Sequence, residues 1–287
     1  MTSVFGGVGA VFRRELATVA RTPGYVVLAI GLLFVLGALL AVGGGGGTGF
    51  VPAVVDLLLP AEVLVPLVAV VLGYRALLSD TASGEFLVIR TYPVSVAGYV
   101  FGVLLARTVA LLALVGGPFV LIGVFVWLTA APDTGIFATH TGVDSPLLFG
   151  RFLALVALLG VAFLSLSAAV SALASSRRGA VALAALVVVA GVLGGDLALL
   201  RALGDGTAAS AIPTRLALTP NGAFRGLVFE YVIGAAFAPD GGVVDVGRAV
   251  GSLVGWAIAG VGVSVVTLSY RRRIDAATER LRFRFGR

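Results

Sequence analysis

Pro23–Val42 reads PGYVVLAIGLLFVLGALLAV. It lies in a run of 34 uncharged residues between Arg21 and Asp56. A helix that crosses the hydrocarbon of a bilayer needs about 20 mostly apolar residues. Pro23 on one side and the five glycines from Gly43 to Gly47 on the other trim the run, so a span is expected near residues 24–42. Composition agrees with this reading. Of 287 residues, 59% are hydrophobic and 12% charged, with a mean hydropathy of +1.11. A soluble domain carries about 25% charged residues, so this chain has too few to cover a water-facing surface. Disorder is excluded as well, because disordered chains are poor in apolar residues.

Outward from that stretch, further spans are expected near 57–78, 96–129, 152–175, 179–195 and 249–270, the fifth being the shortest. The expected fold is an all-α membrane protein: one transmembrane domain over 1–287, with six transmembrane helices. With an even number of spans both termini share a side. That side holds 15 Arg and 5 acids, and the other holds 5 Arg and 9 acids, or +10 against −4. The side rich in Arg is the cytoplasm by the positive-inside rule, which places both termini there and the chain in the cytoplasmic (cell) membrane as a multi-pass protein. The net charge of +6 is thus a topology signal with attraction to anionic lipid, and nucleic acid is not needed to explain it. No internal repeat is visible.

Three segments outside the spans invite attention. Within Val11–Arg21, Phe12, Leu16 and Val19 recur at helical spacing while Arg13, Arg14 and Glu15 face elsewhere, as in a helix lying on the inner membrane surface. A plain basic flank is the simpler alternative. The inner loop 79–95, SDTASGEFLVIRTYPVS, mixes Asp80, Glu85 and Arg90 with Phe86, Leu87 and Ile89. Those apolar residues either dock on a partner or the bilayer, or pack on the chain's own spans. The outer segment 196–248 contains Leu216–Phe229, with a turn at Pro220 and Asn221 and a short helix after it that is interfacial or re-entrant.

Asp56, Glu62, Asp196 and Arg201 lie near the outer ends of spans and Arg107 near an inner one. Intramembrane charges are candidate functional sites, though at these depths they can also snorkel to water.

No enzyme constellation is present. The chain has no Cys, one His (His140) and one Met (Met1), which removes zinc clusters, Cys–His pairs and a soft-metal path. The glycine run lacks the Lys and Ser/Thr of a Walker loop. Catalytic and metal residues are therefore none, and active transport must draw on an ion gradient or another subunit.

Three stretches carry a resemblance. They are Phe12-Arg-Arg-Glu-Leu16 followed by Arg21-Thr-Pro, then Val65–Ser95, then Leu218-Thr-Pro-Asn221 with Arg225. Together they resemble the six-span membrane subunit of ABC exporters of the second type, in its NosY-like branch. The outer match is looser, since this chain has Thr-Pro-Asn where the family has Leu-Asn-Pro. The resemblance implies a homodimer with two separate ABC ATPase subunits. It makes 79–95 the cytoplasmic coupling loop, with Gly84, Glu85, Phe86, Leu87, Ile89, Arg90, Tyr92 and Pro93 as its contact residues and Ser176–Arg178 as a secondary contact. It assigns Phe12–Leu16 to the interfacial helix and Pro220, Asn221 and Arg225 to the outer segment. ATP is then used by the partner, this chain binds no cofactor, and an outer accessory protein is a further partner. The alternatives are an ion-coupled secondary transporter and a membrane anchor for an outer protein.

Overall fold

The structure, a computed structural model, describes residues 4–84, 94–130, 144–206, 211–234 and 244–285, except for the side chains of 4–6 and 271–285. Among the described residues the regular elements are helical: α1 Val4–Ala20, α2 Pro23–Gly43, α3 Phe50–Gly73, α4 Leu78–Ala82, α5 Val96–Thr129, α6 Pro146–Leu173, α7 Arg177–Gly204, α8 Ile212–Leu216, α9 Pro220–Val228 and α10 Val246–Phe285. Six are long and apolar enough to cross a membrane: α2, α3 extended through Ala82, α5, α6, α7 and the first part of α10, Val246–Tyr270. The chain is a multi-pass membrane protein.

α6 is the central helix. In its most apolar window 61% of residues are buried, against 11% in α7 and 17% in α2. Small residues let its neighbours approach. A Cβ on Gly260 of α10 would stand 2.4 Å from the Ser165 backbone, and one on Gly73 of α3 would stand 2.7 Å from Ser167. Close helix approach through small residues is the usual packing mode where lipid removes the hydrophobic drive between helices. Hydroxyls on the same helix bond backbone groups near the end of α3: Ser167 Oγ donates to Val70 O, which also accepts from Tyr74 N, and Ser171 Oγ accepts from Leu77 N and Leu78 N.

Several local differences from expectation have identifiable causes. α7 runs for 28 residues to Gly204 and does not stop near 195. Gly195 reads as a stop but serves as a close approach, since a Cβ there would lie 2.4 Å from Thr219 Oγ1. α3 starts at Phe50, ahead of residue 57, because Asp144 accepts from the free N–H groups of Phe50 (2.7 Å) and Val51 (3.0 Å). α5 holds its 34 residues in one helix, with a π turn at Leu112–Gly116 just before Pro118; such local π turns accompany irregularities inside long helices. The glycine run folds over Asp56, where Gly45 N donates to Asp56 Oδ2 at 2.8 Å and a Cβ on Gly43 would strike the same carboxylate at 2.3 Å.

Candidate functional site: two buried charge clusters

Asp80 stands in α4, at the base of the 79–95 loop, and is only 5% exposed. Arg14 Nη2 and the Tyr99 hydroxyl donate to its Oδ2, the latter at 2.7 Å. Arg14 also pairs with Glu15 at 2.9 Å. Glu15 in turn accepts from Arg107 Nη2 at 3.0 Å, and Arg107 Nη1 donates to the Tyr25 hydroxyl and to Leu72 O. Leu72 lies in the last turn of α3, where carbonyls have no helical donor. One connected network therefore joins α1, α2, α3, α4 and α5. Its charges are two Arg and two acids. Burial pulls the Arg14 pKa down, but Asp80 and Glu15 outweigh it and hold the guanidinium above its ordinary value.

This arrangement sets the side that α1 turns to the other helices. Val11, Glu15 and Val19 are its buried positions, while Phe12, Arg14 and Leu16 are half-buried and Arg13 is exposed. Glu15 points inward because Arg107 meets it there. α5 admits α1 through Gly98 and Gly102, which sit against Val8 and Val11. The charges at this depth do not snorkel: Arg107 is 8% exposed and paired.

The outer cluster is built on α9. Thr219 Oγ1 accepts from Gly222 N and Pro220 takes the first turn, so α9 starts sharply. Its residues are buried except Arg225, which is half-buried. Arg225 Nε and Nη2 bind the Glu62 carboxylate at 2.7 and 2.5 Å, and Nη1 and Nη2 bind Asp196 at 2.9 and 3.2 Å. Asn221 Nδ2 donates to the main-chain oxygen of Glu62 at 3.0 Å. That carbonyl needs an outside donor, because its helical partner four residues on is Pro66, which has no N–H. Glu62 is 2% exposed, so it too is internal.

Of the expected contact residues, Gly84 is described and has φ +77°, a left-handed value that glycine adopts without strain. Glu85, Phe86, Leu87, Ile89, Arg90, Tyr92 and Pro93 lie outside the described residues. Pro220, Asn221 and Arg225 come together with Glu62 and Asp196. Sequence reasoning missed Tyr25 and Tyr99. Glu62, Asp80, Asp196 and Arg107 stand out in the sequence singly, without their pairings. The available signal was depth, since opposite charges at the same end of several spans tend to meet.

The chain is similar to the probable ABC transporter permease protein NosY of Pseudomonas aeruginosa, with 34% identity over 211 residues that cover 68% of this chain and 70% of that protein. The chain belongs to the ABC transporter permeases. No family model matches it. A permease of this kind is the membrane-spanning transport subunit and works with an ATPase subunit. Among the described residues of the 79–95 loop of this ABC permease, Asp80 is the buried one.

Proposed function

We propose that this permease is driven by a separate ATPase subunit docking on the 79–95 loop, with Phe86, Leu87 and Ile89 as the apolar contact and Glu85, Arg90, Tyr92 and Pro93 beside them. The observation that carries this reading is the Asp80 network. It ties the base of that loop to α1 through Arg14, to α5 through Tyr99, and onward to α2 and α3 through Arg107. A loop that served only as a connection would need no such anchorage. A displacement of the loop would be shared among four other helices, because these bonds connect it to each of them.

In this reading α1 lies along the inner membrane surface, both termini are cytoplasmic, the protein works as a homodimer in the cytoplasmic membrane, and ATP is bound by the partner. An outer accessory protein would meet the 196–248 segment. An ion-coupled mechanism needs an acid free to bind the ion. Glu62 and Asp196 are both held by Arg225, and Asp56 is bonded to Gly45 N. The test is affinity capture of tagged protein from mildly solubilised membranes. Wild type is expected to retain a stoichiometric Walker-type ATPase, and Phe86→Asp/Leu87→Asp to lose it while still inserting. Equal capture by the variant would refute the docking assignment.

A further inference from the structure

Between α3 and α7 runs a groove of about 460 Å³. Leu67, Val71 and Tyr74 line one wall, and Val181, Ala185 and Val188 the other. Tyr74 packs against Leu78, Ala174 and Ala180, which brings the end of α3 against the start of α7. Three arginines stand at that end. Arg75 directly follows Tyr74. Arg177 and Arg178 precede Val181 by four and three residues, which puts them on the groove-facing side of α7 one turn further out. All three are exposed, and none makes an ion pair among the described residues. The nearest buried acid in sequence, Asp80, is already paired with Arg14 and bonded to Tyr99, so it does not neutralise them.

We infer that this groove binds one anionic phospholipid, with its phosphate on Arg75, Arg177 and Arg178 and an acyl chain lying between α3 and α7. Basic sites at the water-facing end of clefts between spans suit anionic headgroups. The apolar walls extend from Val181 to Val189, roughly 12 Å along the helix. A chain of methylenes fills such a length, and a soluble anion would leave it unfilled. The site combines three arginines without an ion pair among the described residues with an apolar groove directly beside them.

Native mass spectrometry of the detergent-purified full chain tests this, titrating dioleoyl-phosphatidylglycerol against dioleoyl-phosphatidylcholine. Wild type is expected to favour phosphatidylglycerol about tenfold or more. Arg75→Gln/Arg177→Gln/Arg178→Gln should lose that preference. Ala185→Trp, at an exposed position, keeps all three charges but fills the groove, and should weaken phosphatidylglycerol binding about tenfold. Arg271→Gln/Arg272→Gln/Arg273→Gln removes as much charge elsewhere and should leave the preference intact. The proposal is overturned if the first triple variant keeps the preference, or if the second loses it equally. It is also overturned if Ala185→Trp binds like wild type, which would mean headgroup attraction alone, or if 10 mM inorganic phosphate displaces the lipid from wild type.

Discussion

Glu62 and Asp80 are both acids in the α3–α4 region, and both are almost fully buried, yet they are held in opposite ways. Glu62 depends on one guanidinium, Arg225, which also serves Asp196. Asp80 belongs to a network in which two Arg, two acids and two tyrosines share the contacts. The outer cluster has one cation for two acids, whereas the inner one is balanced. The outer cluster pins a single short helix, α9, to two spans. The inner one distributes its contacts over five elements around the base of a loop. A concentrated clamp suits a joint that stays closed. A distributed one suits a joint that must carry load without depending on a single contact.

The largest expected effect follows from that concentration. Arg225→Met strands Glu62 as a buried carboxylate and should cost about 3–5 kcal/mol, the range for removing one partner of a buried pair. Unfolding in detergent would show it as a large fall in midpoint. Arg107→Met should cost less, roughly 1–3 kcal/mol, because Glu15 keeps Arg14. If the inner substitution were the costlier, the contrast between concentrated and shared pairing would fail. Combining the two should give the sum to within about 0.5 kcal/mol, since Glu62 and Leu72 lie ten residues apart on α3, roughly 15 Å, and the clusters share no partner.

A finer test concerns the backbone. Asn221→Ala leaves the Glu62 carbonyl without a donor and should cost about 1–2 kcal/mol. In a Pro66→Ala background, where residue 66 regains its N–H, that cost should shrink. An unchanged cost would mean that Asn221 acts by some other contact. The smallest effect is expected from Asp196→Asn, whose partly exposed pair is worth at most about 1 kcal/mol.

How far the sequence could be read follows from the same contrast. The six apolar helices were legible because hydropathy is a local property and the bilayer sets their length. The ends of α3 and α7 were not, because each depends on a remote residue: Asp144 caps one, and Thr219 explains why Gly195 does not end the other. The protein-facing side of α1 was not legible for a similar reason. Phe12, Leu16 and Val19 form the more apolar side, but Glu15 turns inward once Arg107, 92 residues away, is there to meet it. Glu62 and Arg225 are 163 residues apart, and no periodicity links them. Asn221 stood out as a turn residue, yet its partner follows only from the proline four residues after Glu62.

The chain contains no cysteine, so a single introduced thiol reports one position without background. With Ile89→Cys in the 79–95 loop and Leu218→Cys on the exposed outer segment, a short bifunctional thiol–amine crosslinker applied to native membranes measures directly where the ATPase sits. The account predicts a crosslinked permease–ATPase band from Ile89→Cys and none from Leu218→Cys. A band from Leu218→Cys, or none from Ile89→Cys in membranes that contain both subunits, would contradict it.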